Sequence, residues 1–316
     1  MILFLLSSAF PAAFAQNIII PEKYSPVDIR WKEHEFAYVK NLDKLDTVCL
    51  RVEYLTKWRE TTDAEPQKNM EALYIGEKMS EYRENRYQYA SEHVQEDLRP
   101  ERLWKKSIDS VRISQGAISK IMSEFHVTNY TIHKNVPKLG MQRCYNVMLP
   151  DGYDVNSSIS PRQYYEETMP MLDWNLMDGD TIICNYACQR ASTTYRGRTW
   201  QVWYTPDLPY QDGPWKLQGL PGLILKAEDT SGDFCFEAIE IRRPIGEYIV
   251  SHPFLERHTK STFKRVMELT KLLYSDPGAL YRLYLGDLIA SRLEKSGQFP
   301  KFSKQSRTPC LIEKYE

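Results

Sequence analysis

The sequence lacks an excess of charge of either sign. Its 41 lysines and arginines nearly balance 42 aspartates and glutamates, so the formal net charge at pH 7 is −1. A chain without a strong field of one sign has no long-range attraction to nucleic acid or to an anionic membrane surface. We therefore expect no nucleic-acid partner.

The sequence also lacks a long apolar run beyond its first residues. The stretch 1–10 is apolar and uncharged, and it leads to Ala13-Phe14-Ala15, the small-x-small pattern that a signal peptidase cuts. About 15 residues is too short for a membrane span, which needs about 20. We predict a signal peptide over 1–15 and an exported mature chain, periplasmic or secreted, without a transmembrane segment. The missing basic n-region leaves open an upstream start codon, and a buried N-terminal element is the alternative.

Recognisable catalytic motifs are missing as well. There is no Gly-x-Ser-x-Gly elbow and no His-Glu-x-x-His. His126 and His133 are seven residues apart, which places them on opposite faces of a strand. Four neighbouring carboxylates form no recognisable catalytic pair: Glu166, Glu167, Asp173 and Asp178. We expect no catalytic residue, no metal and no cofactor, and we favour a non-enzyme while leaving that question open.

Cysteine is scarce but even in number. All six are candidates for disulfides in an exported chain, and several pairings stay open: Cys49, Cys144, Cys184, Cys188, Cys235 and Cys310. We interpret Cys184 and Cys188 as members of one strand, where four residues span about 13 Å. A disulfide needs Cα atoms within about 7 Å. The interpretation excludes a bridge between these two, and likewise a two-cysteine metal clip.

What the sequence does contain favours β-structure. It has 21 tyrosines and 7 tryptophans, which suit strands. Predicted strands lie at 46–58, in two runs within 71–82, and at 126–136, 142–149, 163–168, 174–177, 180–195, 198–205, 223–228 and 234–242. Short turns without intervening helices predict antiparallel pairing, since parallel pairs need long crossovers.

Helical periodicity occupies two regions. One is a charged segment at 90–125, and the other follows residue 255, where Phe263, Val266, Leu269 and Leu273 share a face. Ser275 to Gly278 interrupt that second pattern, and helix resumes over 280–293. The predicted fold is α+β and predominantly antiparallel β, a curved or half-barrel-like sheet with helical insertions and C-terminal helices. The predicted boundaries are 16–255 for the β-rich domain, 256–298 for the C-terminal helices and 299–316 for a tail.

The densest motif lies between two predicted strands. Gly213-Pro214 makes a first turn, and Gly219-Leu220-Pro221-Gly222-Leu223-Ile224 follows. The stretch 220–223 fits a type II turn, in which Pro221 fixes φ and Gly222 takes a positive φ. No Lys-Ser or Lys-Thr pair and no helix start follows, so a phosphate loop is not expected. We interpret the motif as a rigid structural corner.

The same string is the one after which the GLPGLI family is named, and the chain resembles that family. The stretches 188–191, 195–200 and 202–209 occur in the family's order. The resemblance covers about 45–245 and is most specific over 186–228, while 90–125 and Cys184 depart from it. It implies an exported protein of Bacteroidota, often considered with outer-membrane transport systems, whose chemistry is unassigned.

Four residues around a predicted hairpin are candidates for binding. Arg196 and Arg198 flank Gly197, so they either bind a carboxylate or phosphate or pair with acidic residues of neighbouring strands. Trp200 and Trp203 lie on opposite faces of one strand. One is expected in the core, and the other is expected to line a ligand surface or to lie beneath a helix.

Two classes of function follow. The first is a non-enzymatic envelope protein whose curved sheet holds an apolar ligand or a segment of an outer-membrane or envelope partner in an apolar groove. This rests on analogy with half-barrel lipoprotein carriers. The second is a secreted hydrolase or a thiol-dependent redox protein with a site that motifs do not reveal.

Overall fold

The structure is a computed structural model that describes residues 42–59, 62, 64–85, 130–147, 162–251, 253–256, 258–286 and 311–313. Three predictions lie outside these ranges: the signal peptide over 1–15, the helical insertion over 90–125 and the pairing of Cys310.

Thirteen strands and three helices make up the described residues. The first strands are β1 (Lys44–Trp58), β2 (Gln67–Gly76), β3 (Ser80–Glu84), β4 (Tyr130–Lys134), β5 (Met141–Val147), β6 (Arg162–Thr168) and β7 (Asn175–Ile183). Then follow β8 (Tyr186–Tyr195), β9 (Arg198–Thr205), β10 (Leu223–Asp229), β11 (Phe234–Arg242), β12 (Tyr248–Val250) and β13 (Thr259–Lys260). The helices are α1 (Pro253–Glu256), α2 (Phe263–Ser275) and α3 (Pro277–Leu285).

The strands form one sheet in the order β13-β6-β5-β4-β3-β2-β1-β11-β10-β9-β8-β7, with β12 added beside β1. Neighbours in this order pair antiparallel, except that β13 pairs parallel with β6. Strands adjacent in sequence mostly pair with each other, as short turns require.

The sheet curls strongly on itself. Eight strand spacings separate β6 from β9 in the sheet order. A flat sheet would hold these strands about 38 Å apart, at about 4.8 Å per spacing. Yet Arg196, in the turn between β8 and β9, forms an ion pair with Glu167 of β6. The predicted α+β fold with a curved, predominantly antiparallel sheet and C-terminal helices is confirmed.

One face of the sheet carries the main core. Strand alternation places alternate residues on this concave face, and they are largely apolar: Leu50, Val52, Leu73, Ile132, Trp200, Val202 and Phe236. The loop 206–222 and helix α2 pack against it through Leu217, Leu220, Val266 and Leu269. The concave face is thus covered by segments of the chain itself.

The strand predicted over 180–195 is wrong. The chain turns at Cys184-Asn185, where both residues have positive φ (50° and 67°), and β7 and β8 pair on either side. Two consecutive residues of positive φ form a tight hairpin turn, and asparagine tolerates that backbone well. The separation argued for Cys184 and Cys188 therefore fails, because they do not share one extended strand.

The C-terminal helices follow the predicted pattern. Helix α2 buries Val266, Met267, Leu269 and Leu273. Thr262 caps its start, and Asp276 separates it from α3, whose first turn the Asp276 side chain caps. No helix among the described residues is both long enough and apolar enough to cross a bilayer. Within the predicted tail 299–316, residues 311–313 lie against the sheet, and Glu313 is buried.

Candidate functional site

The loop 206–222 between β9 and β10 enters the inside of the curl and carries Lys216 there. All residues from Gly213 to Gln218 are buried, which is unusual for a loop. Polar contacts hold the loop to the strands beneath. Lys134 of β4 donates to Gly213 O at 2.8 Å, and Ser80 donates to Asp212 at 2.6 Å. Just after the loop, Tyr54 of β1 donates to Ile224 O of β10 at 2.6 Å.

The backbone at Trp215 turns Lys216 inward. Trp215 has φ 52°, a left-handed conformation that is uncommon for a bulky side chain and costs about 1–3 kcal/mol. The Trp215 ring packs on Trp200 and Tyr195, both 5.5 Å away between centroids. Packing thus fixes the backbone that places the Lys216 ammonium against β6.

Lys216 is the centre of a buried polar cluster, and its side chain is only 1 % exposed. Its Nζ lies 2.7 Å from Glu167 Oε1 and 2.6 Å from Glu313 Oε1. Nζ also donates to Tyr165 Oη at 2.7 Å, and that hydroxyl donates to Glu313 Oε1 at 3.2 Å. Buried charges are stable only when paired in this way.

Arg196 completes the cluster from the opposite end of the sheet. It donates to Glu167 Oε2, and its Nε lies 3.3 Å from Glu313 Oε2. Gln142 of β5 donates to Glu167 Oε1 at 2.7 Å. Two cations, Lys216 and Arg196, therefore face two carboxylates, and the formal charges of these four residues cancel.

The pKa shifts in the cluster follow from these pairs. Burial raises the pKa of Glu167, but Lys216, Arg196 and Gln142 outweigh it, so the pKa lies below its ordinary value. Burial lowers the pKa of Lys216, yet its anionic and polar neighbours leave it well above the ordinary value. Lys216 and Glu167 consequently keep their charges at neutral pH, and Lys216 is unsuited to act as a base.

Hydrogen bonding within the cluster is incomplete. Three buried polar atoms of the cluster have no hydrogen-bond partner among the described residues: Gln142 Oε1, Arg196 Nε and Glu313 Oε2. Arg196 Nε and Glu313 Oε2 are close enough for an ion pair but are poorly aligned for a hydrogen bond. A buried polar atom without a partner costs about 1–3 kcal/mol. The arrangement therefore does not satisfy Glu313 fully.

Arg198 binds the same C-terminal segment beside this cluster. Its guanidinium pairs with Asp229 and lies 3.0 Å from Asp233. It also donates to the backbone carbonyl of Leu311 at 3.0 and 2.6 Å, from Nε and from a terminal nitrogen. Arg198 thus pairs with Asp229 on the neighbouring strand β10, as one of the two expected outcomes had it. Arg196 also pairs with acidic residues, but these are Glu167 on the distant strand β6 and Glu313.

The two tryptophans lie on opposite sides of β9. Trp200 is fully buried between Trp215 and Phe236 on the concave face. Trp203 is half-buried on the other face, with Arg190 and Lys226 over its ring at 5.5 and 5.0 Å. Trp200 therefore belongs to the core, and a binding role for either ring stays a prediction.

The signature turn differs from the expectation at Gly222. Positive φ occurs at Gly219 (φ 93°) and not at Gly222, so the predicted type II geometry at 222 is wrong. Gly222 is needed for another reason. A Cβ there would lie 2.6 Å from the carbonyl carbon of Thr205 and 2.9 Å from Pro206 N. The glycine lets the loop pass directly over the end of β9.

The five described cysteines carry free thiols, so no disulfide joins any two of them. Burial raises the pKa of Cys144 to about 12 and that of Cys188 to about 11. Burial also raises the pKa of Cys184 and Cys235. The thiolate is the reactive form, so these four side chains are weak nucleophiles at neutral pH.

Apart from Arg196, the residues of the cluster were not predicted from the sequence. Lys216 lies inside the signature motif, Glu167 was set aside as an unpaired carboxylate, and Glu313 fell in the predicted tail. A lysine in a loop otherwise rich in apolar residues was the one local signal. Within the described ranges, no three His, Cys, Asp or Glu side chains are grouped closely enough to hold a metal ion.

Residues 196–226 match the model of a family described as "Protein of unknown function (Porph_ging)". The match runs from Arg196 through Lys216 and the signature turn to Lys226. It is consistent with the resemblance inferred from the motif, although the family name differs. None of the curated proteins compared with this chain matches it.

Several solved structures are similar to the chain at low identity. A structure of PNGF-II shares 11 % identity with a TM-score of 0.46, over 72 % of this chain and 34 % of that protein. A domain from Vibrio parahaemolyticus, described as an outer membrane lipoprotein-sorting protein, shares 7 % identity with a TM-score of 0.24, over 73 % and 96 %.

A LolA superfamily protein from Nitrosomonas europaea shares 9 % identity with a TM-score of 0.22, over 71 % of this chain and 96 % of that protein. The chain matches about a third of the length of PNGF-II. Likenesses this low do not assign an activity, so the functional argument rests on the geometry of the chain itself.

Proposed function

We propose that this chain is an exported cell-envelope protein that acts by binding, without catalysis. It would hold an apolar ligand or an apolar partner segment between the curled sheet and its cover, as an accessory to outer-membrane transport. The observation that carries the proposal is the mutual neutralisation of Lys216, Arg196, Glu167 and Glu313 inside the curl.

Neutralised charges argue against acid–base or nucleophilic chemistry at this site. A general base needs a pKa near the working pH, whereas the pKa of Lys216 is raised and that of Glu167 is lowered. The raised pKa of Cys144 likewise disfavours a thiol nucleophile. What remains on the concave face is apolar and aromatic surface, which suits binding.

The apolar surface lies beneath a cover that is not part of the sheet. Trp200, Val202 and Phe236 line the concave face, and Leu269 of α2 belongs to the same core. Helix α2 makes no strand hydrogen bonds with the sheet, so its attachment depends on side-chain packing. A ligand would enter between α2 and the sheet.

A lipid extraction and a probe titration test this proposal. The exported protein is purified without detergent, and its organic extract is examined by mass spectrometry. The protein is then unfolded, refolded without lipid and titrated with stearate carrying a nitrobenzoxadiazole fluorophore. We expect a co-purifying apolar molecule and saturable probe binding. An empty extract together with non-saturable probe fluorescence would contradict the proposal.

Three variants locate the probe. Leu269→Ser changes the underside of α2, and we expect at least tenfold weaker probe binding because an apolar contact is lost. Leu283→Ser alters a side chain of α3 that is 56 % exposed and should bind as wild type does. Leu269→Met keeps the apolar volume and guards against loss of folding. Equal binding by all three variants would place the probe elsewhere.

Export and the alternative thiol function have separate tests. Mass spectrometry of the protein recovered from the periplasm or medium should show Gln16 as the first residue, and an intact Met1 would contradict the signal peptide.

Iodoacetamide at pH 7 should leave Cys144 unmodified in the folded protein. Rapid modification of Cys144 in the folded protein, at a rate that falls when denaturant unfolds the chain, would favour a thiol-dependent function.

A further inference from the structure

The chain's own C-terminal segment 311–313 is bound in the manner of a peptide ligand. Arg196, Arg198 and Lys216, hereafter the cationic pocket, receive it from two elements: the hairpin between β8 and β9, and the loop 206–222. The segment belongs to no strand and pairs with none. It is held by charged side chains rather than by the sheet's hydrogen-bond ladder.

Two anchor points define what the cationic pocket recognises. Arg198 donates twice to the backbone carbonyl of Leu311, at 3.0 and 2.6 Å. Two residues later, the Glu313 carboxylate lies 2.6 Å from Lys216 Nζ and 3.3 Å from Arg196 Nε. A site that binds a backbone carbonyl and, two residues later, a carboxylate recognises a peptide rather than a free carboxylic acid. Charge-assisted contacts of this kind give both strength and orientation.

The fit of the resident segment leaves room for exchange. Glu313 Oε2 and Arg196 Nε are buried without hydrogen-bond partners, and so is Gln142 Oε1 beside them. A donor aimed at Gln142 Oε1, or a carboxylate better aligned with Arg196, would remove these costs.

We propose that the cationic pocket is a binding site for extended acidic peptides, occupied in this structure by the chain's own residues 311–313. A peptide from a partner carrying an apolar residue and then a glutamate in the same spacing would displace the resident segment. This site takes a charged peptide, so it is separate from the apolar ligand of the proposed function and does not depend on it.

The test uses the full chain and a synthetic peptide. The peptide covers residues 308–316 with Cys310→Ser and carries a fluorescein label, and its binding is followed by fluorescence anisotropy. A tethered segment has an effective concentration of about 1 mM, so wild type should bind the free peptide at least tenfold more weakly than the Glu313→Ala chain does. A peptide with Glu313→Gln should lose at least tenfold in affinity for that chain.

Matched variants separate recognition from loss of folding. Glu268→Ala removes an exposed glutamate of α2 that pairs with Arg265, and it should leave the peptide affinity at the wild-type level. Arg196→Gln in the Glu313→Ala chain should abolish peptide binding, whereas Arg190→Gln on β8, which contacts Gln201 and Trp203, should not. Should the Glu313→Ala chain fail to fold, the Glu313→Gln chain, which keeps the side-chain volume, takes its place as the chain that binds the labelled peptide.

Three results would overturn the inference. One is the absence of saturable peptide binding by a folded Glu313→Ala or Glu313→Gln chain. A second is equal binding of the glutamate and glutamine peptides. The third is displacement of the peptide by free glutamate at the peptide's own affinity, which would make the pocket a site for small carboxylates. Stearate binding is measured on the same variants, so failure of one proposal does not hide the outcome of the other.

Discussion

At position 222 the loop passes so close to the end of β9 that a side chain has no room. The Cβ of any other residue would meet the Thr205 carbonyl and Pro206 N. At Gly219, by contrast, the backbone has φ 93° and the nearest atom to an added Cβ is Trp174 Nε1 at 3.7 Å. Gly222 is therefore needed because a side chain has no room there, and Gly219 because its backbone has positive φ.

This difference predicts that alanine and asparagine substitutions rank in opposite order of stability at positions 219 and 222. At 219, asparagine tolerates positive φ better than alanine does, so Gly219→Asn should cost less than Gly219→Ala. At 222 crowding decides, and Gly222→Ala should lower the free energy of unfolding by about 1–3 kcal/mol, with Gly222→Asn costing at least as much. Urea unfolding of the four variants measures the ranking.

Pro221→Ala serves as the control in that series, because a trans proline contributes mainly by restricting the unfolded chain, by about 0.4–1 kcal/mol. If Gly222→Asn proved more stable than Gly222→Ala, the close approach to Thr205 would not be the reason for glycine. Unchanged unfolding in Gly222→Ala would point to a role for the turn in binding rather than in stability.

At the scale of single elements, β7 is the exposed edge of the described sheet. It pairs with β8 alone among the described strands, and all its residues except Ile183 are exposed. Leu176, Met177 and Ile182 would favour pairing with another chain. Asp178 and Asp180 lie within a register shift that separates Met177 from Thr181 in the pairing with β8. Charges and a bulge on an edge both oppose association.

We therefore predict that Asp178→Thr combined with Asp180→Thr increases self-association. The change removes two like charges that would repel a second copy and raises the strand propensity of the edge. Light scattering during size-exclusion chromatography should show dimers or larger species at concentrations where wild type is monodisperse. Asp173→Thr, which lies before the strand, is the matched control, and association by that variant alone would count against the edge.

At the scale of the whole molecule, the ion pairs that span the curl make stability depend on pH. The pKa of Glu167 is lowered in the folded chain by Lys216 and Arg196, which outweigh its burial. The folded state then binds fewer protons than the unfolded state near pH 4, so stability is present above the unfolded pKa and is lost as pH falls through the folded pKa.

Urea unfolding at pH 7, 5, 4 and 3 should show a falling free energy of unfolding below pH 5. Glu167→Gln should be less stable than wild type at pH 7 and should show a smaller loss between pH 5 and pH 3, because one titrating group is removed. Glu228→Gln, on the half-exposed side of β10, should keep the wild-type pH dependence. An unchanged slope in Glu167→Gln would show that the cluster does not contribute to acid sensitivity.

The local pattern determined the elements well. The strand at 198–205 coincides with β9, and the predicted boundaries at 163–168, 223–228 and 234–242 lie within one residue of the observed strands. The burial of alternate strand residues depends only on residues close in sequence, and so does the apolar face of α2. Both can therefore be predicted from the sequence alone. The hairpin at Cys184-Asn185 was missed because neither residue is a glycine or proline.

The sequence by itself determined an antiparallel sheet, C-terminal helices and an ordered loop at the signature motif. Only the tertiary structure decided that the sheet curls until the hairpin of Arg196 reaches Glu167, that Lys216 turns inward, and that Glu313 joins them. Alternation along a strand predicts on which side of the sheet a side chain lies, but it does not predict which distant strand that side chain contacts. That pairing depends on the accumulated twist of many strands and on the loop that fills the curl.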